Sequence, residues 1–304
     1  MRLATFSDSG GTRVGVVAGD HLVDLSVAAP GLPTDMVSLL DGGPDCLEAA
    51  RHAATGSAGV LALSEVRLEA TVRPRKFLIV GRNYRTYRPK MEATEEDEVT
   101  AARLRRTIRH QLDIDGMQAA GHQVWVSKEV SCVTGPFDPI RIPKVSGEVI
   151  YENELGVVIG QRCKYVTRDQ APGVIAGYVV CNDVTATDWA GYSPTYMLSK
   201  SFDTFGPIGP WLVTCDEIDD PHSLEMRASI SGELDQVGST SAMEVDCFGL
   251  IEYLSQVVTL EAGDVLATGT PSVPLRFLRE GDVVRCEIES LGAIENPVEL
   301  ELEP

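Results

Sequence analysis

Runs of β-branched and aliphatic residues, cut by Gly, Asp and Pro, dominate the chain. Near the start, RLATFS, RVGVVAG and HLVDLS read as three short strands separated by turns, because short apolar runs bounded by turn residues suit a pleated, half-buried surface. Residues 34–40 and 46–63 carry helical spacing, with Pro44 near the second start. A basic, proline-containing bridge over 71–76 leads into KFLIVG, residues 76–81, which reads as a buried strand. From Val124 onward the β pattern takes over in VWVSKEVSCV, ELGVVIG, VIAGYVVCNDV, GPWLVTC, LEMRASISG, DVLATGT and DVVRCEIESLG. Helical periodicity returns only near residues 249–258. Many closely spaced strands with few crossover helices predict an α+β, mostly-β fold and argue against a doubly wound sheet. The expected organisation is a small N-terminal α/β domain over 1–70 and a larger domain over 71–304.

Residues 91–120 break the pattern. Thr94-Glu95-Glu96-Asp97 resembles a capping box, and its acids complement the positive end of a helix dipole. AARLRRTIRHQL continues with helical spacing. This insertion is expected to be helical, either as a solvated surface helix or as a lid over a nearby pocket.

Composition narrows the class. At roughly 150 residues per domain, the 304 residues suggest two domains, and 43% hydrophobic with 23% charged residues is an ordinary globular balance. The 26 basic and 45 acidic side chains give a net charge of −19, a surface that a nucleic-acid backbone would repel. No apolar run approaches the roughly 18 residues of a membrane span, and the N-terminus shows no secretory signal, so no membrane partner and a cytoplasmic location are expected. Seven widely spread cysteines, with no Cys-x-x-Cys, read as buried reduced thiols.

Four segments carry candidate chemistry. In YENELGVVIG, Glu152 and Glu154 sit at i and i+2, which on a strand share one face. Two adjacent carboxylates repel unless a cation or proton lies between them, and oxygen-only ligands suit Mg²⁺, Mn²⁺ or Ca²⁺. The same pattern also fits a solvent-facing edge strand. Asp183 ends the apolar run VIAGYVVCN, where it would be a third ligand or an Asx turn. Lys200 opens KSFDTFGPIGPW and could stabilise an enolate or a substrate carboxylate, or be a surface Lys on a tight loop. GDVLATGTP offers threonine hydroxyls and amides to a ligand oxygen, or is a strand-to-turn transition.

Taken together and in this order, the Glu-x-Glu-Leu run, KSFDTFGPIGPW and GDVLATGTP resemble the fumarylacetoacetate hydrolase family. The similarity extends from KFLIVGRNY to GDVVRCEIESLGAIENPV, and RLATF…RVGVVAGDHLVDLS resembles the front domain of its bacterial members. The resemblance implies a rolled β-sheet catalytic domain, a homodimer, and one Mg²⁺ or Mn²⁺, with Ca²⁺ a further candidate, held by Glu152, Glu154 and Asp183. It implies Lys200 as the active-site lysine and Thr270 as a substrate contact, with Arg82, Asn83 and Thr187 as further substrate-contact candidates. Family substrates are small β-dicarbonyl or 2-oxo compounds whose enolate the metal stabilises.

The sequence departs from the family at informative places. Asn83-Tyr84 is kept, but Tyr87 stands where hydrolases carry a His and Lys90 where they carry a Glu, the pair that activates water. Tyr87 and Lys90 are the catalytic candidates in their place, and at reference pKa neither is a ready base near pH 7. His110 and Glu92 are candidate substitute bases, with His122 weaker; His21, His52 and His222 read as surface or packing residues. Thr187 replaces a carboxylate-gripping Arg, Ala190 a Gln, and Ser272-Val273-Pro274 a Gly-Val-Gly. The first functional expectation is C–C bond hydrolysis, the family's commonest assignment. The second is decarboxylation or isomerisation and tautomerisation, of which decarboxylation and tautomerisation need no activated water. The third is a non-catalytic, metal-stabilised scaffold.

Overall fold

The computed structural model describes residues 1–85, 121–192, 195–274 and 276–302. The insertion over 91–120, with Tyr87, Lys90, Glu92 and His110, lies outside the described residues. The described chain is mostly β, as the sequence pattern and the family resemblance both imply.

The longest sheet is antiparallel over most of its width and is ordered by long-range pairing rather than by sequence. The strand Asn153–Ile159 lies beside Ile175–Asn182 on one side and Val265–Ala267 on the other. Val265–Ala267 pairs parallel with Phe77–Gly81, which pairs antiparallel with Val124–Lys128 at the sheet's end. On the far side, Ile175–Asn182 pairs with Gly206–Thr214, and that strand pairs with Arg2–Asp8. The N-terminal strands therefore continue the same sheet. Gly177 makes the central pairing possible: a Cβ there would stand 2.1 Å from the Val213 carbonyl oxygen.

Both faces of Asn153–Ile159 are buried, which explains its near-continuous apolar run. Leu155, Val157 and Ile159 face the larger core, shared with Tyr151, Met226, Ile251 and Val284, while Val158 faces a second core with Leu39, Leu40 and Val179. The larger core is closed by a second sheet, ordered Glu233–Ser239, Glu225–Ile230, Val283–Ile288, Gly292–Leu300 and Ile140–Ile142. Asn153 ties the two sheets together, donating from Nδ2 to the carbonyls of Arg227 and Glu287.

Two expected helices form, one is shortened, and two short ones, Leu25–Ala28 and Met197–Lys200, form where none is expected. Met36–Asp41 and Cys247–Val257 form where the spacing predicts, each capped by an Asp that accepts from the first turn, Asp35 and Asp246. The helix expected over 46–63 is instead Gly43–Ala53, and Val60–Ala62 is a strand against His21–Asp24. The chain leaves the helix at Ala54, and Gly59, just before Val60–Ala62, adopts φ +70° so close to the Asp24 carbonyl that no side chain would fit. All seven cysteines are free thiols.

Candidate metal centre and active site

The acidic triad is assembled by strand register. Asn153 pairs with Asn182, so the residue before one strand and the residue after the other meet at the same end of the sheet. The Asp183 amide donates to the Glu152 carbonyl at 2.9 Å. Glu154, one residue into its strand, projects to the same spot, and one oxygen from each of the three carboxylates lies within 4.8 Å of the others. Glu154 and Asp183 are buried and Glu152 nearly so.

Burial penalises charged carboxylates, and the three respond differently. Glu152 and Glu154 are pushed above the usual range by burial, with the neighbouring acids adding to the rise and Lys200 opposing it. Burial would raise Asp183 too, but the ammonium groups of Lys128 and Lys200 outweigh it and hold this acid low. Three buried carboxylates converging on one point are the donor chemistry of a hard divalent cation. The residues fit such an ion.

Two lysines frame the triad. Lys200, at the end of the short helix Met197–Lys200, donates to Glu152 at 2.8 Å, to Thr185 Oγ1 at 3.0 Å, and to Asp183. Burial lowers its proton affinity, but the acids Asp183, Glu152 and Glu154 more than compensate, so it stays an ammonium. Lys128 ends the strand Val124–Lys128 with a fully buried side chain, donating to Asp183 Oδ1 at 2.6 Å and the Val184 carbonyl at 3.0 Å. Sequence reasoning missed Lys128. The signal was its period of two with Val124 and Val126, which places a lysine on the buried face of the strand.

A small cavity of about 80 Å³ opens on Glu152 and Glu154. Its polar side carries Lys200, Thr185, Thr187 and Thr270, with Arg82 and Tyr196 also lining it. Its apolar side is Ile79, Val80, Val124, Val126 and Ile150. Arg82 adopts φ 54°, a left-handed conformation rare for a side chain of this size, and strain of this kind clusters at binding sites. Thr187 gives its hydroxyl proton to the Glu148 carbonyl at 3.0 Å, so it does not replace an arginine's grip on a carboxylate.

Asn83 does not line the cavity. Its Nδ2 donates to the carbonyls of Thr268 and Val245, and its Oδ1 accepts from the Val245 amide, so it staples the TGTP loop from behind. Gly269 in that loop donates its amide to Glu154 Oε2 at 2.8 Å, fixing one oxygen of the triad. His122 lies against Tyr253 and His222 against Phe248, and neither lines the cavity. Among the described residues no helix is long and apolar enough to cross a membrane.

A rolled β fold with an internal triad of acids and two lysines defines a metal-site enzyme architecture. The fumarylacetoacetate (FAA) hydrolase C-terminal model matches residues 76–299, and the chain belongs to the fumarylacetoacetate hydrolase family. It is 37% identical to the mitochondrial oxaloacetate tautomerase of Xenopus laevis, over 98% of this chain and 90% of that protein. The crystal structure of maleylpyruvate hydrolase from Sphingobium sp. SYK-6 with manganese(II) and pyruvate is 29% identical, with a TM-score of 0.78 over 99% of this chain and all of that one. The 5-carboxymethyl-2-hydroxymuconate delta-isomerase of Mycobacterium smegmatis superposes with a TM-score of 0.73 at 28% identity, again over the full length of both chains. The protein is thus an enzyme of a family whose members include hydrolases and isomerases, with a site for a divalent metal.

Proposed function

We propose that this enzyme interconverts the enol and keto forms of a small 2-oxo acid bearing a second carbonyl or carboxyl at C4, of the oxaloacetate type. The observation that carries this reading is Lys200, a buried ammonium in hydrogen-bond contact with Glu152, Asp183 and Thr185 at the floor of the cavity. Glu152, Glu154 and Asp183 would hold Mg²⁺ or Mn²⁺, which when bound polarises the oxygens of a 2-oxo acid and lowers the cost of enolate charge. The three carboxylates, two ammoniums and a divalent ion sum to one positive charge, and the Arg82 guanidinium on the cavity wall makes it two, which suits a bound dianion. Lys200, kept protonated, sets its positive charge beside the enolate oxygen and stabilises it. Thr270 donates to a substrate oxygen. Arg82, with Tyr196 beside it, takes the carboxylate that Thr187 does not grip. Tyr87 and Lys90 are the proposed proton-transfer pair at carbon. Tautomerisation needs no attacking water, which accords with Tyr87 and Lys90 standing in place of a His and a Glu. The similarity to oxaloacetate tautomerases over nearly the whole chain supports the same choice.

Hydrolysis of an acylpyruvate is the second reading, favoured by the likeness to maleylpyruvate hydrolase. Proton NMR in D₂O separates the two. With Mn²⁺ or Mg²⁺ and oxaloacetate, the expected result is faster enol–keto conversion with deuterium entering C3, abolished by EDTA. Acylpyruvate cleavage to two acids without such exchange would overturn the tautomerase reading, and release of CO₂ with pyruvate would replace it with decarboxylation.

The double variant Tyr87→His with Lys90→Glu restores the water-activating pair. It is expected to gain acylpyruvate hydrolysis by about 10²-fold, the scale of one general base. No gain in a folded double variant would show that more than this pair separates the two reactions. The homodimer belongs to the same proposal and is read from the mass of the protein in solution.

A further inference from the structure

The outer strand of the second sheet, Glu233–Ser239, pairs with Glu225–Ile230 in a register that jumps. Ala228 faces Gln236 and Ser229 faces Leu234, which makes Asp235 the extra residue of a bulge. A bulge of this kind re-aims side chains, so that two consecutive residues turn inward instead of alternating. Asp235 is 7% exposed and Gln236 fully buried. Asp235 accepts the Tyr151 hydroxyl, one residue before the metal-ligand candidate Glu152. Gln236 reaches the other side of the site: its Nε2 donates to Thr270 Oγ1 at 3.0 Å and to the Ser272 carbonyl at 2.6 Å. Two residues further on, Gly238 leaves room for Pro271, whose Cβ would lie 2.4 Å from any Cβ at that position.

The hydrogen bonds fix a direction. Both amide hydrogens of Gln236 are spent on the loop, and the reversed amide would set Oε1 against the Ser272 carbonyl, acceptor facing acceptor. Thr270 Oγ1 therefore receives a proton from Gln236 and keeps its own to give. Among the described residues it gives that proton to the Ser272 carbonyl, 3.3 Å away and a weak partner. Gln236 Oε1 is buried with no partner among the described residues, a cost that an aliphatic side chain of the same size would avoid. The two donated bonds are what this buried amide supplies.

We propose that Gln236 is a positioning residue that commits the Thr270 hydroxyl to act as a hydrogen-bond donor to the substrate oxygen. This rests on Thr270 being a substrate contact. The sequence alone hides the role, because Gln236 falls in a strand that pairs away from every site motif and is turned inward only by the bulge at Asp235.

The test uses the full-length protein loaded with Mn²⁺ and oxalate as the probe, a planar dianion that presents its oxygens as an enolised 2-oxo acid does. Gln236→Leu and Thr270→Val are measured singly and together by calorimetry, with Gln236→Met serving where Gln236→Leu does not fold. The expected result is Mn²⁺ affinity within about twofold of wild type throughout. Oxalate affinity falls about tenfold in each single variant and no further in the double, since both remove one hydrogen bond. Independent losses that add in the double, or a loss of Mn²⁺ affinity in Gln236→Leu, would assign the residue a purely structural role and overturn the proposal. Undiminished oxalate affinity in Gln236→Leu would also overturn it. An unaffected Thr270→Val would remove the reading of Thr270 and this proposal with it, leaving the metal site intact. If wild type binds Mn²⁺ but no oxalate, the proposed substrate class fails, and a crystal structure of Gln236→Leu decides the present point. A Thr270 hydroxyl turned to a new partner supports the positioning role, and an unmoved one overturns it.

Discussion

Asp183→Asn will bind Mn²⁺ at least about a hundredfold more weakly than the unaltered protein and will show no metal-dependent turnover. Asparagine keeps the shape and one acceptor oxygen but removes the charge. The position is fully buried, and Asp183 is the one acid of the triad held ionised by two neighbouring ammoniums. Burial and the neighbouring acids raise Glu152 and Glu154, whereas Asp183 is held low, so removing its charge takes away the acid that the site most favours in ionised form. Titration calorimetry with Mn²⁺ and EDTA-stripped protein measures the change. Affinity within about threefold of wild type would remove Asp183 from the ligand set, because a lost anionic ligand cannot cost so little.

The second large effect concerns Lys128, which touches no cavity wall. Lys128→Met is expected to cost about 3–5 kcal/mol of stability, the range for breaking a buried ion pair by removing one partner. Its Nζ is fully buried, bonded to Asp183 Oδ1 and the Val184 carbonyl, and methionine fills the volume but leaves both acceptors unpaired. Urea titration of metal-free protein reads the loss as a lower midpoint. The double variant Lys128→Met with Asp183→Asn should lose less than Lys128→Met alone, because the stranded charge has gone. Equal or greater loss in the double would show that Lys128 serves packing rather than the charge of Asp183.

The triad was legible because its signals are local. Glu152 and Glu154 are two residues apart at the head of an apolar run, and Asp183 closes the next such run. Only their meeting required the Asn153–Asn182 register. Lys200 and Thr270 were legible through the motifs around them. Lys128 and Gln236 were not, for two different reasons. Lys128 acts at a point reached through the pairing of Val124–Lys128 with Phe77–Gly81, four strands from the one that Asp183 follows, so its alternation with Val124 and Val126 marks a buried face but not the partner that face meets. Gln236 is turned inward by a bulge, which breaks the very alternation used to read faces. Asn83 shows the opposite error: a motif residue adjacent to the site proves to hold the loop rather than face the cavity. The helix expected to run to 63 ends at Ala53, and Val60–Ala62 is instead a strand held by its pairing with His21–Asp24, a tertiary contact that local spacing does not show.

The sheet order also separates what the enzyme does from what it does it to. The acids come from the interior pair Asn153–Ile159 and Ile175–Asn182, whereas Ile79, Val80, Val124 and Val126 come from the two strands at the sheet's far end. Those terminal-strand side chains can therefore change, one methyl at a time, without touching the acids, whereas Lys128, on the strand Val124–Lys128, ties that margin to the charge of Asp183.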